Sequence, residues 1–420
     1  MATLNRFAAL IFTATTAVSS HASQFEELFA LAQANDPSYL AAQHTLESKL
    51  QIIPQAKSAL MPSVKGSVNQ NIALDSTSNS NNYGVSVALP LRLDAYYGMK
   101  VAEQSAAGAR VGFEKAHQNL IYSVIERYVA VLKQQNQLFS SLAELTALEQ
   151  RLKQTRQQVQ LGITSIIELQ DAEASLQQLQ VALIQVEQRL SLARSDLENL
   201  TNQPLPEQLP TLANNFNAQE LVQTDSLQDW FMLAQIHNLD LTSNAFATQQ
   251  AYHNFQAQEA GVYPTANISM SQNYSSTTGD STTLAIGVTG TFYDGGLNIA
   301  RTKEAKEAWY ASQQQGQALL KNTQQDIRRW YQALDTSHKQ IQALSGLNEA
   351  VQAALAGKNT EYELGLRSIS DILDAEKLVF SAQRDWANAR LDLVLNQLRL
   401  KKASGLLNTT DLAQLDQWFN

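Results

Sequence analysis

The sequence predicts a mainly α-helical chain that also carries membrane-type β-strands and is built as an internal tandem repeat. Three observations lead there. The segment Leu161-Gly162-Ile163-Thr164-Ser165-Ile166-Ile167-Glu168-Leu169-Gln170-Asp171-Ala172-Glu173 is echoed by Leu364-Gly365-Leu366-Arg367-Ser368-Ile369-Ser370-Asp371-Ile372-Leu373-Asp374-Ala375-Glu376, an offset of 203 in a chain of 420 residues, so one unit is read twice. Four stretches of about ten residues alternate apolar and polar side chains. Long proline-free segments carry leucines seven apart, the mark of a coiled coil.

The chain opens with Arg6, an apolar run from Phe7 to Val18 and Ser20-His21-Ala22, which reads as a secretory signal over residues 1–22 with the mature chain starting at Ser23. The run is too short for a transmembrane helix, and no later segment offers about twenty uninterrupted apolar residues. With no cysteine, disulfides, thiolate metal sites and thiol nucleophiles are excluded. Loss of the signal removes Arg6 and no acid, leaving 29 basic against 39 acidic residues, a net charge of −10 that argues against a nucleic-acid partner. Only 17 glycines and 8 prolines, with abundant Gln, favour long helices over a compact sheet-rich core.

In chain order, a first helix is expected from about Phe25 to Ser58 and ends before Pro62. Its counterpart near Trp230 to Gln258 repeats Leu31-Ala32-Gln33 as Leu233-Ala234-Gln235 and ends before Pro264. After Pro62, Val64, Gly66, Val68, Ile72 and Leu74 alternate against Ser63, Lys65, Ser67, Asn69, Asn71 and Asp75. A polar loop follows, and then Tyr83, Val85, Val87, Leu89 and Leu91 alternate against Asn82, Gly84, Ser86 and Ala88, which makes a hairpin. The second copy sets Ala266, Ile268, Met270 and Tyr274, then Leu284, Ile286, Val288 and Phe292, against small or hydroxylated neighbours. Length and nearly uncharged polar faces suit strands of a membrane barrel, while a soluble sandwich edge or half-buried sheet shares the alternation.

Leu169, Leu176, Leu183, Leu190 and Leu197, with Leu179, Val186, Ala193 and Leu200, give alternate steps of three and four. Leu138, Leu145, Leu152 and Val159 precede them, and Ile372, Val379, Trp386, Leu393 and Leu400 repeat the device. The helical hairpins, about 96–201 and 297–403, turn at Leu161-Gly162 and Leu364-Gly365. From Tyr96 to Val159 one arm reaches on the order of 95 Å. The repeats are read as 23–202 and 225–404, with strands at about 62–75, 82–92, 265–275 and 282–293, a linker over 203–224 carrying Pro204, Pro206 and Pro210, and a tail over 405–420.

If the strands enter a membrane, every backbone polar group there must be paired, and a bacterial barrel needs at least about eight strands. One chain supplies four, so the barrel must be shared by three or four chains and continued by the helical hairpins as a hollow tube.

The arrangement resembles the TolC family of outer-membrane efflux and secretion channels. The residues that carry the resemblance are the signal, Asn35-Asp36-Pro37, Leu60-Met61-Pro62, Val262-Tyr263-Pro264, Phe292-Tyr293-Asp294-Gly295-Gly296 and the paired Leu-Gly turns, over essentially the whole mature chain. The resemblance implies a homotrimer with a twelve-stranded outer-membrane β-barrel in contact with lipid, continued by a long periplasmic α-helical coiled-coil barrel that narrows at its tip. It also implies docking to a periplasmic adaptor (membrane fusion) protein and an inner-membrane transporter; from the residues themselves no cofactor, metal or catalytic residue is expected. Tyr362, Arg367, Asp371 and Asp374 stand in the family's tip pattern Tyr-x-x-Gly-x-Arg-x-x-x-Asp-x-x-Asp. By similarity, Asp371 and Asp374 form acidic, cation-binding rings at the constriction, and Tyr362 and Arg367 belong to the gate links; Glu168 and Asp171 of the first copy stand at the equivalent positions among those links, Glu168 as the acid that looks like the receiver. Thr164 stands where the second copy has Arg367, so one arginine per chain serves there.

Spacing alone places Asp371 and Asp374 on one helix face, and three chains would bring six carboxylates around one axis, favouring bound protons or cations. Two solvated acids on an exposed helix are the plain alternative, against which stands the recurrence of both acids beside both turns. The Leu-Gly turns are helix C-caps in any case. Apolar residues exposed there suggest a partner, and by family likeness Leu161, Gly162, Ile163, Thr164, Ser165, Leu364, Gly365, Leu366, Arg367 and Ser368 receive the adaptor's hairpin tip. Tyr83, Tyr96, Tyr97, Tyr274, Phe292 and Tyr293 lie near strand ends as interfacial girdles or, for Tyr96 and Tyr97, as packing between helix and strand.

An enzyme finds no support in six scattered histidines and no metal, nucleophile or phosphate-loop motif. A non-conducting coiled-coil stalk explains the heptads but leaves the strands and the paired acids without a purpose.

Overall fold

The computed structural model of the chain describes residues 24–72, 80–213, 216–221 and 226–419. The expected signal, Leu74 and Asp75 of the first strand, and parts of the polar loop and linker lie outside them.

The helix expected over 25–58 is three: α1 (Gln24–Asn35), α2 (Pro37–Leu50) and α3 (Ile52–Ser58). Asp36 ends one and caps the next, its carboxylate accepting from the amides of Ser38 and Tyr39, with Pro37 at the first helical position. Pro54 has no amide to offer Leu50 and its ring crowds that carbonyl, so the helix breaks again at Gln51. The second copy breaks only at the position equivalent to Asp36. α4 (Leu93–Gln160) and α5 (Ile166–Thr201) form the first hairpin, and then α6 (Leu227–His237) and α7 (Leu239–Ala260) meet at Asn238, whose side chain accepts from the Leu241 amide. α8 (Leu297–Glu363) and α9 (Ile369–Ser404) make the second hairpin. With 68 and 67 residues, α4 and α8 each extend about 100 Å. The seven-residue seam on α5 is real on one side: Ala172, Leu179, Val186 and Leu200 are buried, whereas Val181, Ile184 and Leu192 point away uncovered.

At one end of this framework, β1 (Ser63–Asn71), β2 (Ser80–Leu91), β3 (Thr265–Ser275) and β4 (Gly279–Thr289) form an antiparallel sheet in sequence order. The strand expected over 282–293 stops at Thr289, and Phe292 and Tyr293 lie beyond it, almost wholly exposed. The copies join through β2 and β3, where Leu89 faces Ile268, Val87 faces Met270 and Tyr83 faces Tyr274. The registers place Val64, Val87, Met270 and Leu284 in one apolar row and Lys65, Ser86, Ser271 and Thr283 in the polar row beside it.

The core lies midway along the hairpins. Phe25, Tyr128 and Phe419 meet ring to ring at 4.6–5.8 Å. The linker is part of it: Leu209, Leu212 and Leu221 are buried, Leu212 bridges to Phe419, and a 3₁₀ turn spans Ala218–Leu221. The tail over 405–420 forms α10 (Thr410–Asp416) and packs against the same cluster. Arg390, buried with no carboxylate partner among the described residues, donates to the Ala213 carbonyl at 2.6 Å and lies against Trp386 and Phe216, so it clamps the linker to α9.

Candidate functional site: the hairpin tips and the sheet face

Each hairpin turns by a Schellman motif. Gly162 and Gly365 take φ of +71° and +74°, with Ile163 donating to Gln158 and Leu366 to Glu361, each at 2.9 Å. A side chain in that backbone region would be strained. Leu161, Ile163, Leu364 and Leu366 are all 68–74% exposed. Thr164, Ser165, Arg367 and Ser368 complete the two turns, Ser165 and Ser368 as N-caps of the return helices.

The equivalent acids do different things. At the second tip Ser368 and Asp371 form a reciprocal capping box: the Asp371 amide donates to the serine hydroxyl at 3.3 Å, and the serine hydroxyl and amide donate back to the carboxylate at 2.9 and 3.2 Å. The Ser368 hydroxyl, helped by its amide and by Arg367 and Lys358, holds the Asp371 carboxyl below the usual range. At the first tip Ser165 caps Glu168, but the Glu168 carboxylate takes the Thr164 hydroxyl at 2.8 Å instead of closing the box. Asp171 is exposed. Asp374, one turn beyond Asp371, is exposed and lines a groove of about 370 Å³ between α4, α5 and α9, together with Glu144, Lys377 and Arg384. Burial raises the Glu144 carboxyl, with Lys377 and Arg384 opposing it.

Within one chain, Arg367 pairs with Glu361 of its own arm at 2.7 Å, and the Tyr362 hydroxyl donates to the Gln158 side chain of α4 at 2.9 Å. Burial, followed by the Glu168 charge, raises the Tyr362 hydroxyl above its usual value. The sequence reading missed Arg151, which lies 5.7 Å from the Tyr362 ring and donates to Asn359 of α8 and Glu376 of α9 at 3.1 and 2.9 Å. A signal existed: Glu376 repeats Glu173, and Glu173 also takes an arginine of α4, Arg156, at 3.0 Å. Nothing in either local pattern identifies which arginine each acid meets.

The apolar face of the sheet is left bare, and β1 and β4 are exposed on both faces. Along β2 the apolar Tyr83, Val85 and Val87 are exposed while Asn82, Gly84 and Ser86 are partly covered, and Val68 and Ile286 each remain 75% exposed. Tyr83 and Tyr274 lie together at the far end of this face, 6.2 Å between rings, and Tyr263, Phe292 and Tyr293 are exposed at the end nearest the helices. Tyr96 and Tyr97 pack edge to face at 5.5 Å where α4 begins. Among the described residues, the outer edges of β1 and β4 have no partner strand in the sheet order. Among the described residues no helix is long and apolar enough to cross a membrane, and no group of acids and histidines is placed to hold a metal.

A sequence model of the family described as outer membrane efflux protein matches residues 28–203 and 230–406, one match per copy. The chain is 24% identical over 411 residues to outer membrane protein TolC of Vibrio cholerae serotype O1, covering 94% of this chain and 93% of that protein. It is also 24% identical over 428 residues to the proteases secretion protein PrtF of Dickeya chrysanthemi, covering 96% and 92%. Among solved structures, CusC, described in connection with transmembrane channel formation, superposes with a TM-score of 0.82 at 16% identity over 91% of this chain and 92% of its own, a likeness of fold.

Proposed function

The chain belongs to the outer membrane efflux protein family, and from that premise we propose that it is the outer-membrane exit duct of a tripartite efflux or type I secretion system. It passes small toxic compounds, proteins or both from an inner-membrane pump and a periplasmic adaptor to the exterior. The observation that carries this reading is the uncovered apolar face of the sheet. An exposed apolar face about ten residues tall, with aromatic side chains at both ends, matches a lipid-facing barrel wall. From Tyr263 to Tyr274 a strand tilted about 40° rises roughly 28 Å along the barrel axis, close to the apolar band of about 25 Å.

Four strands with two open edges cannot seal that wall, and a homotrimer closes it with twelve. The uncovered Val181, Ile184 and Leu192 of α5 support the same assembly, since they offer neighbouring chains apolar surface along the helical barrel. At the tips, Leu161, Gly162, Ile163, Thr164 and Ser165, with Leu364, Gly365, Leu366, Arg367 and Ser368, receive the adaptor. Asp371 and Asp374 ring the constriction, and Tyr362, Arg367, Glu168 and Asp171 take part in the links that hold it closed. No catalytic step is assigned: the relatives are named for outer-membrane and secretion roles. A non-conducting stalk is not favoured, because it leaves the exposed apolar sheet face without a solvent to match it.

Reconstitution of the full mature chain in planar bilayers tests this. Discrete openings that divalent cations block from the tip side are expected, and a folded trimer that never conducts would remove the proposal.

A further inference from the structure

Across the polar face of all four strands the described side chains are Ser, Asn, Thr, Ala, Gly, Pro and a single charge, Lys65. Asp280, the strands' other charged residue, pairs with Tyr274 and therefore lies on the apolar side. Since the apolar face is the outer wall, Lys65 faces the lumen, in the row Lys65, Ser86, Ser271, Thr283 and near the end of β1 that joins the helices. We infer that the three Lys65 side chains of the trimer form an anion-binding ring inside the barrel, at the opposite end of the duct from the acidic tip and of opposite sign. The ring fits small multivalent anions of the phosphate class.

The assembly does not cancel this charge. Within the chain Lys65 stands beside Ser86, and across the shared edge it meets the inward residues of a neighbour's β4, which are Ser281, Thr283, Ala285, Gly287 and Thr289. Whatever register that edge adopts, no carboxylate faces the ammonium from the described strand residues. The geometry also puts it within range of passing ions. Twelve strands about 4.8 Å apart and tilted about 40° close a cylinder of roughly 12 Å radius. A flexible lysine stem reaching roughly 6 Å inward leaves the ammonium about 6 Å from the axis, inside the screening length of about 8 Å at physiological salt. An anion on the axis therefore feels all three charges.

The inference rests on the duct reading and is separable from it in one experiment. Single trimers of the full mature chain are held in a planar bilayer, inorganic triphosphate is added on the barrel side, and divalent-cation block from the tip side is recorded in parallel. Triphosphate is expected to block the unaltered channel. Lys65→Gln should raise the half-blocking concentration by about tenfold or more, as expected for loss of charge-assisted contacts, with divalent-cation block unchanged. Lys65→Arg should keep the triphosphate block, and Lys65→Gln combined with Ser86→Lys should restore it by returning the charge to the adjacent strand of the same row. Equal block in Lys65→Gln, loss of block in Lys65→Arg, or no recovery in the double variant would overturn the ring. Absence of any conductance in folded trimers would instead overturn the duct.

Discussion

Arg151 of α4 donates to Glu376 of α9 at 2.9 Å, and this ion pair ties the first hairpin to the second about 15 Å above the tips. The two side chains are only 17% and 15% exposed, so removing either leaves a half-buried charge without its partner. Arg151→Ala or Glu376→Ala is expected to cost about 1–3 kcal/mol in melts of the detergent-solubilised trimer. The double variant should cost clearly less than the two single losses added together. Strict additivity would show that the pair is not coupled.

The two tips should differ in stability toward serine loss. Ser368→Ala removes both bonds of the serine hydroxyl, leaving only the backbone half of the capping box, and is expected to cost about 1 kcal/mol, whereas Ser165→Ala breaks a single long bond and costs less. The box also titrates. Because the folded Asp371 carboxyl lies below its ordinary value of 3.8, its stabilisation is fully present above about that pH and is lost as the pH falls through the lower folded value. The gap between melts of the unaltered chain and Ser368→Ala should narrow at strongly acidic pH, leaving the part due to the Asp371 amide.

Asp371 and Asp374 should separate by the same logic. Asp371 is engaged in the cap and Asp374 opens into the groove, so Asp374→Asn should weaken divalent-cation block while leaving the melting temperature unchanged. Asp371→Asn should lower both. An unchanged block in the double variant would show that these acids are not the filter.

The two faces of the sheet should respond oppositely to charge. Ile286→Lys places an ammonium on the apolar wall at a cost of about 2–4 kcal/mol per chain near the bilayer midplane, so assembled trimer in the outer membrane should fall sharply. Thr283→Lys, three residues away on the polar face, should assemble normally in the same fractionation.

Tyr122 predicts alkaline sensitivity. Burial, opposed by a hydrogen bond from Arg399, raises its hydroxyl from 10.0 to about 12. Its contribution is therefore intact below pH 10 and lost as the pH rises through about 12. Tyr122→Phe should flatten the stability profile in that window when unfolding is followed by circular dichroism.

Much of the site was readable from local pattern. The glycines at 162 and 365, the capping serines and the paired acids recur at one offset because each hairpin must solve the same turn problem within a few residues. The pairings that hold the tips were not readable in this way. Glu376 meets Arg151 and Tyr362 meets Gln158 across more than 200 residues of sequence, and only the packing of α4 against the second hairpin brings them together. The break at Gln51 comes from Pro54, four positions after Leu50, a clash of one side chain with one carbonyl that the overall helical pattern of 25–58 does not express.

By itself the sequence determined the duplication, the strands and the long arms, since periods of two and three and a half are local properties of a backbone whose side chains must sort between two surroundings. Tertiary structure alone decided that β2 pairs with β3 to fuse the two copies into one sheet, and that the linker and tail fold into the core under Arg390. It alone decided that the described helices and loops leave the greasy side of the sheet uncovered. Those outcomes depend on which distant surfaces meet, and alternation along a strand says that its two faces differ without saying which of them the rest of the protein will leave bare.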